Sequence, residues 1–165
     1  MVDRKRRSRP LAILDIDGVL ADVRHRLHHI ADRPKNWEAF FAAAGDDPLL
    51  AEGYALAHEL DRTHETLYLT GRPERNRELT GAWLVRHELP RGQLLMRRDR
   101  DHRPARMFKC ETLRSLRDER EIGLVVDDDP EVVAAIERDE LPVRLATWLP
   151  YAAPLAVAQE QEGRT

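Results

Sequence analysis

Two aspartates one residue apart, Asp15 and Asp17, close the otherwise apolar run LAILDIDG. A buried strand has no structural use for two like charges at its end. A second apolar run ends in Thr70-Gly71-Arg72, and a third in Asp127-Asp128-Asp129, while Lys109 stands early in a helical pattern. Carboxylates crowded beside an apolar sheet repel one another, and keeping them ionised is costly unless a cation compensates. Mg²⁺ does so with oxygen ligands, taking one or two carboxylates and leaving room for water and substrate phosphate. The pattern therefore predicts a Mg²⁺ site with one aspartate left over for chemistry. Thr70 offers a hydroxyl, Gly71 a closely approachable N–H and Lys109 a positive charge, and all three suit a phosphoryl group. Phosphate monoesters need accelerations of up to ~10²¹-fold. An aspartate nucleophile divides that task in two through an aspartyl-phosphate, and a neighbouring carboxylate can move the protons.

Such groups must be brought to one place by the elements that end in them. Apolar runs over 11–16, 65–70, 93–96, 122–127 and 143–147 read as strands. Helical patterns lie between them: one opened by Asp47-Pro48, one over 74–87 with Leu79, Ala82 and Trp83 on a face, one over 105–116 and one opened by Asp129-Pro130. Alternation of this kind predicts an α/β fold, a doubly wound, Rossmann-like parallel sheet covered on both faces by right-handed crossovers. Its functional edge is at the carboxyl ends of the strands. Residues 22–46, holding VRHRLHHI and NWEAFFAAAG, fit the alternation poorly and are expected to form a small helical cap insertion after the first strand. The expected organisation is a basic flexible tail over 1–10, one domain over 11–150 and a poorly ordered tail over 151–165.

At 165 residues, with 42% hydrophobic and 35% charged side chains, the chain suits one globular domain. No apolar run is long enough for a membrane span and none has signal-peptide form, so the expected location is the cytoplasm. A single cysteine, Cys110, excludes an internal disulfide framework and a thiolate cluster. The net charge of −3 does not announce a nucleic-acid binder, yet from Arg91 to Lys109 seven basic residues face two acidic ones. That stretch is either an anion-facing loop or a solvated surface.

DIDGVLAD, LTGRP, the lysine of MFKCETL and VVDDDP together resemble the four motifs of the haloacid dehalogenase (HAD) superfamily of phosphatases. The resemblance spans about Leu11 to Leu149. It implies that Asp15 is the nucleophile and Asp17 the general acid/base, its backbone aiding the metal. Thr70 and Lys109 would hold the phosphoryl group, Asp127 would bind Mg²⁺, and Asp128 would support it. A narrower likeness, through LTGRPERNR, LLMRRDRDHRPARMFKCETL and PVRLATW, is to the 3′-phosphatase domain of polynucleotide kinase/phosphatases. It implies a nucleic-acid 3′ end, DNA or RNA, as substrate, with Gly71, Arg72, Arg97 and Arg103 near it. No G-x-x-x-x-G-K-[ST] loop occurs, so 5′-kinase activity is not expected in this sequence, leaving room for a separate kinase chain. The modest insertion implies an open site, compatible with a bulky substrate.

Other readings stay beside these. A small-molecule phosphatase acting on mononucleotides or sugar phosphates uses the same chemistry. A phospho-receiver domain also joins aspartates, Thr and Lys, but in a different order. A binding module with a dead site would have lost a catalytic position, and none is visibly lost. His25, His28 and His29 could place two imidazoles on one helix face, with no third ligand in a suitable pattern. Trp37, Phe40 and Phe41 are either lid core or a stacking platform for a base. Cys110 reads as a buried helix residue, and RKRRSR as a solvated tail or an attractor of nucleic acid.

Overall fold

The computed structural model describes residues 9–165; the basic N-terminal stretch, Arg9 apart, lies outside them. Five strands form one parallel sheet: β1 (Leu11–Leu14), β2 (Glu65–Pro73), β3 (Gln93–Arg97), β4 (Ile122–Asp127) and β5 (Val143–Leu145), in the order β3-β2-β1-β4-β5. β1 lies between β2 and β4, its Leu14 level with Tyr68 and with Val126. That register brings the ends of three strands to one height, where the chain's direction across the sheet reverses.

Alternating side chains divide the core. Leu11, Ile13, Leu67 and Leu69 join Phe108 and Leu113 of α5 (Ala105–Glu119) and Val132 and Ile136 of α6 (Pro130–Arg138) on one face. Leu14 and Tyr68 join Leu56 of α3 (Ala51–Asp61) and Trp83 and Leu84 of α4 (Arg77–Arg86) on the other. Helices on both faces explain why these strands are nearly continuous apolar runs. The fold is the α/β sheet expected from the sequence, and Asp129 caps α6 as expected, accepting a hydrogen bond from Glu131 N at 2.9 Å.

Two local expectations fail. Asp47 does not open α3, whose N-cap is Leu50; Asp47 is instead buried among arginines. On α4 the buried face is Thr80, Trp83 and Leu84, and Ala82 is not part of it. Trp83 donates to the Asp47 carbonyl at 2.8 Å, which rotates the helix about that anchor.

Between β1 and α3 the chain forms a 3-10 turn (Arg24–Arg26), α1 (His28–Ala31), α2 (Trp37–Ala42) and a second 3-10 turn (Ala43–Asp46). Ile30, Phe40 and Phe41 fill a separate small core under this lid. The tail expected to be poorly ordered also belongs there: α7 (Ala153–Ala156) and a π-helical turn (Val157–Gln161) bury Leu155 and Ala158 in the same cluster. Among the described residues, no helix is long and apolar enough to cross a membrane.

Candidate active site

The loop that leaves β1 folds back at once. Val19, Leu20 and Ala21 all donate their N–H groups to the Ile16 carbonyl, and Gly18 donates to Ala21. Gly18 has φ +76°, and a β-carbon there would overlap the Asp128 carboxylate. Only glycine allows this turn and the close approach of β4's end together. The tight loop sends Asp15 and Asp17 in different directions.

Asp15 faces β4 and α5. Lys109 Nζ sits 2.9 Å from Asp15 Oδ2 and donates to Asp127 Oδ2 at 2.6 Å. Asp15, Asp127 and Asp128 each offer an oxygen, and the three oxygens lie within 4.8 Å of one another. All four residues are buried. Burial raises Asp15, with Asp127 and Asp17 adding to it against Lys109, to about 7. Burial likewise raises Asp127, and raises Asp128 well above the ordinary range, with Asp15 and Asp127 adding repulsion. Burial works against the charge of Lys109, but Asp127 and Asp15 overcome it and raise the ammonium's proton affinity. Asp128 Oδ1 is buried without a hydrogen-bond partner. Three converging carboxylates, one oxygen unmatched and a single ammonium fit a hard divalent cation.

Asp17 points the other way. Its Oδ1 accepts from Arg72 Nη2 at 2.6 Å, from Arg72 Nε at 2.9 Å and from Arg26 Nη2 at 3.0 Å. Both guanidiniums also bind Asp47: Arg72 Nη2 at 2.7 Å, Arg26 Nε at 2.8 Å and Arg26 Nη2 at 2.9 Å. His25 Nε2 lies 2.7 Å from Asp47 Oδ1, and Arg26 rests on the Phe40 ring. Burial alone would raise Asp17, but Arg72 and Arg26 prevail and hold it well below the ordinary carboxylate range. The Asp17 side chain is thus committed to arginines and stands outside the acidic triad.

The remaining expected residues divide. Thr70 is buried between the two halves, its hydroxyl accepting from Arg72 N at 3.2 Å. Gly71 passes so close to the backbone of Thr165 that a β-carbon would overlap it. Arg97 is buried above the Phe108 ring and donates to the carbonyls of Gly71, Asp101, Arg103 and Thr165. Arg103 is exposed and pairs with Asp101, at 2.7 Å, and with Glu111. Arg72 and Arg97 are therefore structural partners of the centre's own groups.

Two contributors, Arg26 and Asp47, are not evident in the sequence. Arg26 stands inside a run conspicuous for its histidines, and Asp47 has the form of a helix cap. The available signal is their charge in a lid whose other inward residues are apolar.

Comparison with known proteins adds a family. The model of the polynucleotide kinase PNKP phosphatase domain matches residues 10–145. Among solved structures, a chain of the Pnkp1/Rnl/Hen1 RNA repair complex superposes with TM-score 0.68 and 23% identity over 87% of this chain and 44% of its own. A second Pnkp1/Rnl/Hen1 complex gives TM-score 0.72 and 22% identity over 91% and 49%. A haloacid dehalogenase-like hydrolase from Streptococcus pneumoniae gives TM-score 0.59 and 12% identity over 92% and 91%. The chain thus spans about half the length of the two repair-complex chains. No curated protein sequence matches it.

Proposed function

The chain belongs to the polynucleotide kinase PNKP phosphatase-domain family of HAD phosphatases, and from that premise we propose a Mg²⁺-dependent phosphomonoesterase that removes the 3′-phosphate of a nucleic-acid end. The observation that supports it best is Asp15, held at the end of the central strand by Lys109, which also binds Asp127, with Asp17 two residues on.

In this reading an Asp15 carboxylate oxygen attacks phosphorus and the bond to the ester oxygen breaks, leaving an aspartyl-phosphate. Asp17 gives its proton to the departing oxygen, so that an alcohol leaves. Water then attacks phosphorus, Asp17 takes the water's proton, and Asp15 is released with inorganic phosphate. The arginines hold Asp17 ionised in the substrate-free centre, the form that accepts water's proton. A phosphoryl dianion drawn in beside it raises its proton affinity, so that Asp17 takes up from solvent the proton it gives in the first step. Lys109 and the Thr70 hydroxyl would hold the phosphoryl oxygens, joined by the Gly71 N–H. Asp15, Asp127 and Asp128 would hold Mg²⁺, with the Asp17 backbone assisting; when bound, the ion neutralises charge on the transferring group.

The nucleic-acid assignment is supported by an open cavity of about 640 Å³ beside β3 and α5, lined by Arg98, Arg100, His102 and Arg103. It adjoins a small cleft at Arg97 through Asp101 and His102. Such a surface suits the backbone phosphates behind a terminal nucleotide. One of the structurally similar chains belongs to the Pnkp1/Rnl/Hen1 RNA repair complex. That likeness favours RNA over DNA as the substrate end.

Asp15→Asn tests the chemistry: turnover of p-nitrophenyl phosphate with Mg²⁺ should fall by about 10⁴-fold, as for removal of a nucleophile. Wild-type turnover in that variant would end the proposal. A 3′-phosphorylated oligonucleotide assayed against free 3′-mononucleotides tests the substrate. Preference for the free compounds would make the protein a small-molecule phosphatase.

A further inference from the structure

The segment after Ala152 is anchored and then turns inward. Leu155 and Ala158 seat it on the lid core. Glu160 pairs with Arg106 and Glu162 with Lys35, and the Arg164 guanidinium lies 5.6 Å from the Trp37 ring centroid. Past this anchor, Thr165 is 3% exposed and enters the centre. Its hydroxyl donates to Asp17 Oδ2 at 3.3 Å, and its backbone oxygen accepts from Arg97 Nη2 at 3.3 Å. Its backbone rests on Gly71 with no space for a side chain between them. Asp17, Gly71 and Arg97 all belong to the motifs expected to serve phosphoryl chemistry, and one threonine touches all three.

A hydroxyl donating to a carboxylate there has a chemical counterpart. Once the departing oxygen has been protonated, the product alcohol stands as a hydroxyl beside the carboxylate that gave the proton. We propose that residues 162–165 form a strap whose Thr165 hydroxyl occupies the leaving-group seat formed by Asp17, Gly71 and Arg97. Substrate must displace the strap to bind. The inference rests on the reading of Asp17 as the acid/base.

The contacts suit a displaceable occupant. Both hydrogen bonds that Thr165 makes to side chains of the centre are long. Outside the centre the segment is held by two isolated ion pairs, Arg106–Glu160 and Lys35–Glu162, and not by a closed network such as that around Asp17. The apolar anchor at Leu155 and Ala158, by contrast, keeps the strap near its seat when it leaves, at a high effective concentration. A self-occupied site binds ligand more weakly in proportion to the fraction of molecules that are open.

Two variants test this in the 165-residue chain: deletion of residues 162–165, which leaves the apolar anchor intact, and Thr165→Val, which removes only the hydroxyl. For a strap closed in about nine molecules of ten, the deletion raises kcat/KM for p-nitrophenyl phosphate and for a 3′-phosphorylated oligonucleotide about tenfold, and Thr165→Val raises it less. A second readout does not depend on turnover. In an Asp15→Asn background, the deletion should tighten binding of the same oligonucleotide, followed by fluorescence anisotropy, by a similar factor. Unchanged or lower kcat/KM together with unchanged or weaker binding overturns the strap. If no phosphomonoester is turned over by any variant but the deletion still tightens binding, the assigned chemistry falls and the strap stands.

Discussion

The two halves of the centre are built from the same residue types and balanced in opposite ways. Around Asp17, two carboxylates meet two guanidiniums, and Asp47, Arg26 and Arg72 close the network among themselves. Around Asp15, three carboxylates meet one ammonium. The first half is balanced in charge as folded, although Arg26 Nη1 is buried without a hydrogen-bond partner. The second holds more buried carboxylates than cations, so it must take up protons or a cation from solution. A buried ion network of the first kind loses much if one partner goes. One of the second kind can be repaired from outside.

Of the changes that separate the two halves, removing the cation of the acid-rich half should give the largest effect. Lys109→Ala is expected to lower kcat by about 10³-fold, as loss of a charge-stabilising group does. Mg²⁺ should still raise this variant's melting temperature. Equal stabilities with and without Mg²⁺ would show that this variant's acidic triad does not take up the ion.

Arg72→Ala leaves Asp17 and Asp47 sharing one guanidinium and should destabilise the protein by about 3–5 kcal/mol in denaturant titration. Here Mg²⁺ should not recover the wild-type value. Recovery would erase the distinction between the halves.

Asp128→Asn sharpens it. Asp128 is raised well above its ordinary value by burial and by its neighbours, so between the ordinary and the raised value the native state binds more protons than the unfolded one. Stability contributed by this group is therefore present at low pH and lost as pH rises through that window. Without Mg²⁺, the Asn variant should melt higher than wild type, by a margin that widens from about pH 5 to pH 7.5. With saturating Mg²⁺ the order should reverse. A constant margin across pH would show that Asp128 is not the strained group. Smallest of all, Arg103→Ala touches an exposed triad with Asp101 and Glu111 and should change stability by no more than about 0.5 kcal/mol. Its effect should appear instead as a shallower salt dependence of oligonucleotide turnover.

The acid-rich half was legible in the sequence because its carboxylates stand at the ends of apolar runs, where a charge is conspicuous. β4 could be read residue for residue from IGLVVD for the same reason. The balanced half was not. Arg72 was visible in LTGRP, but its partner Asp47 lies 25 residues away and Arg26 lies 21 from Asp47. No local periodicity reports that a lid arginine and a pre-helical aspartate will share a buried space. The closing segment was illegible too: AAPLAVAQEQEGRT has too weak a pattern for a helix on its own, and its burial depends on an apolar lid that must form first.

Arg26 belongs to the insertion, yet it is fully buried and held by two carboxylates of the domain beneath. The insertion is therefore keyed into its base and is no hinged door. Swinging it aside would strand Asp17 and Asp47 with a single counter-charge, an excursion open to fewer than about one molecule in a hundred at the few kcal/mol such exposure costs. None of Arg26's ion pairs involves residues 162–165, so the strap proposed above can lift without disturbing this key.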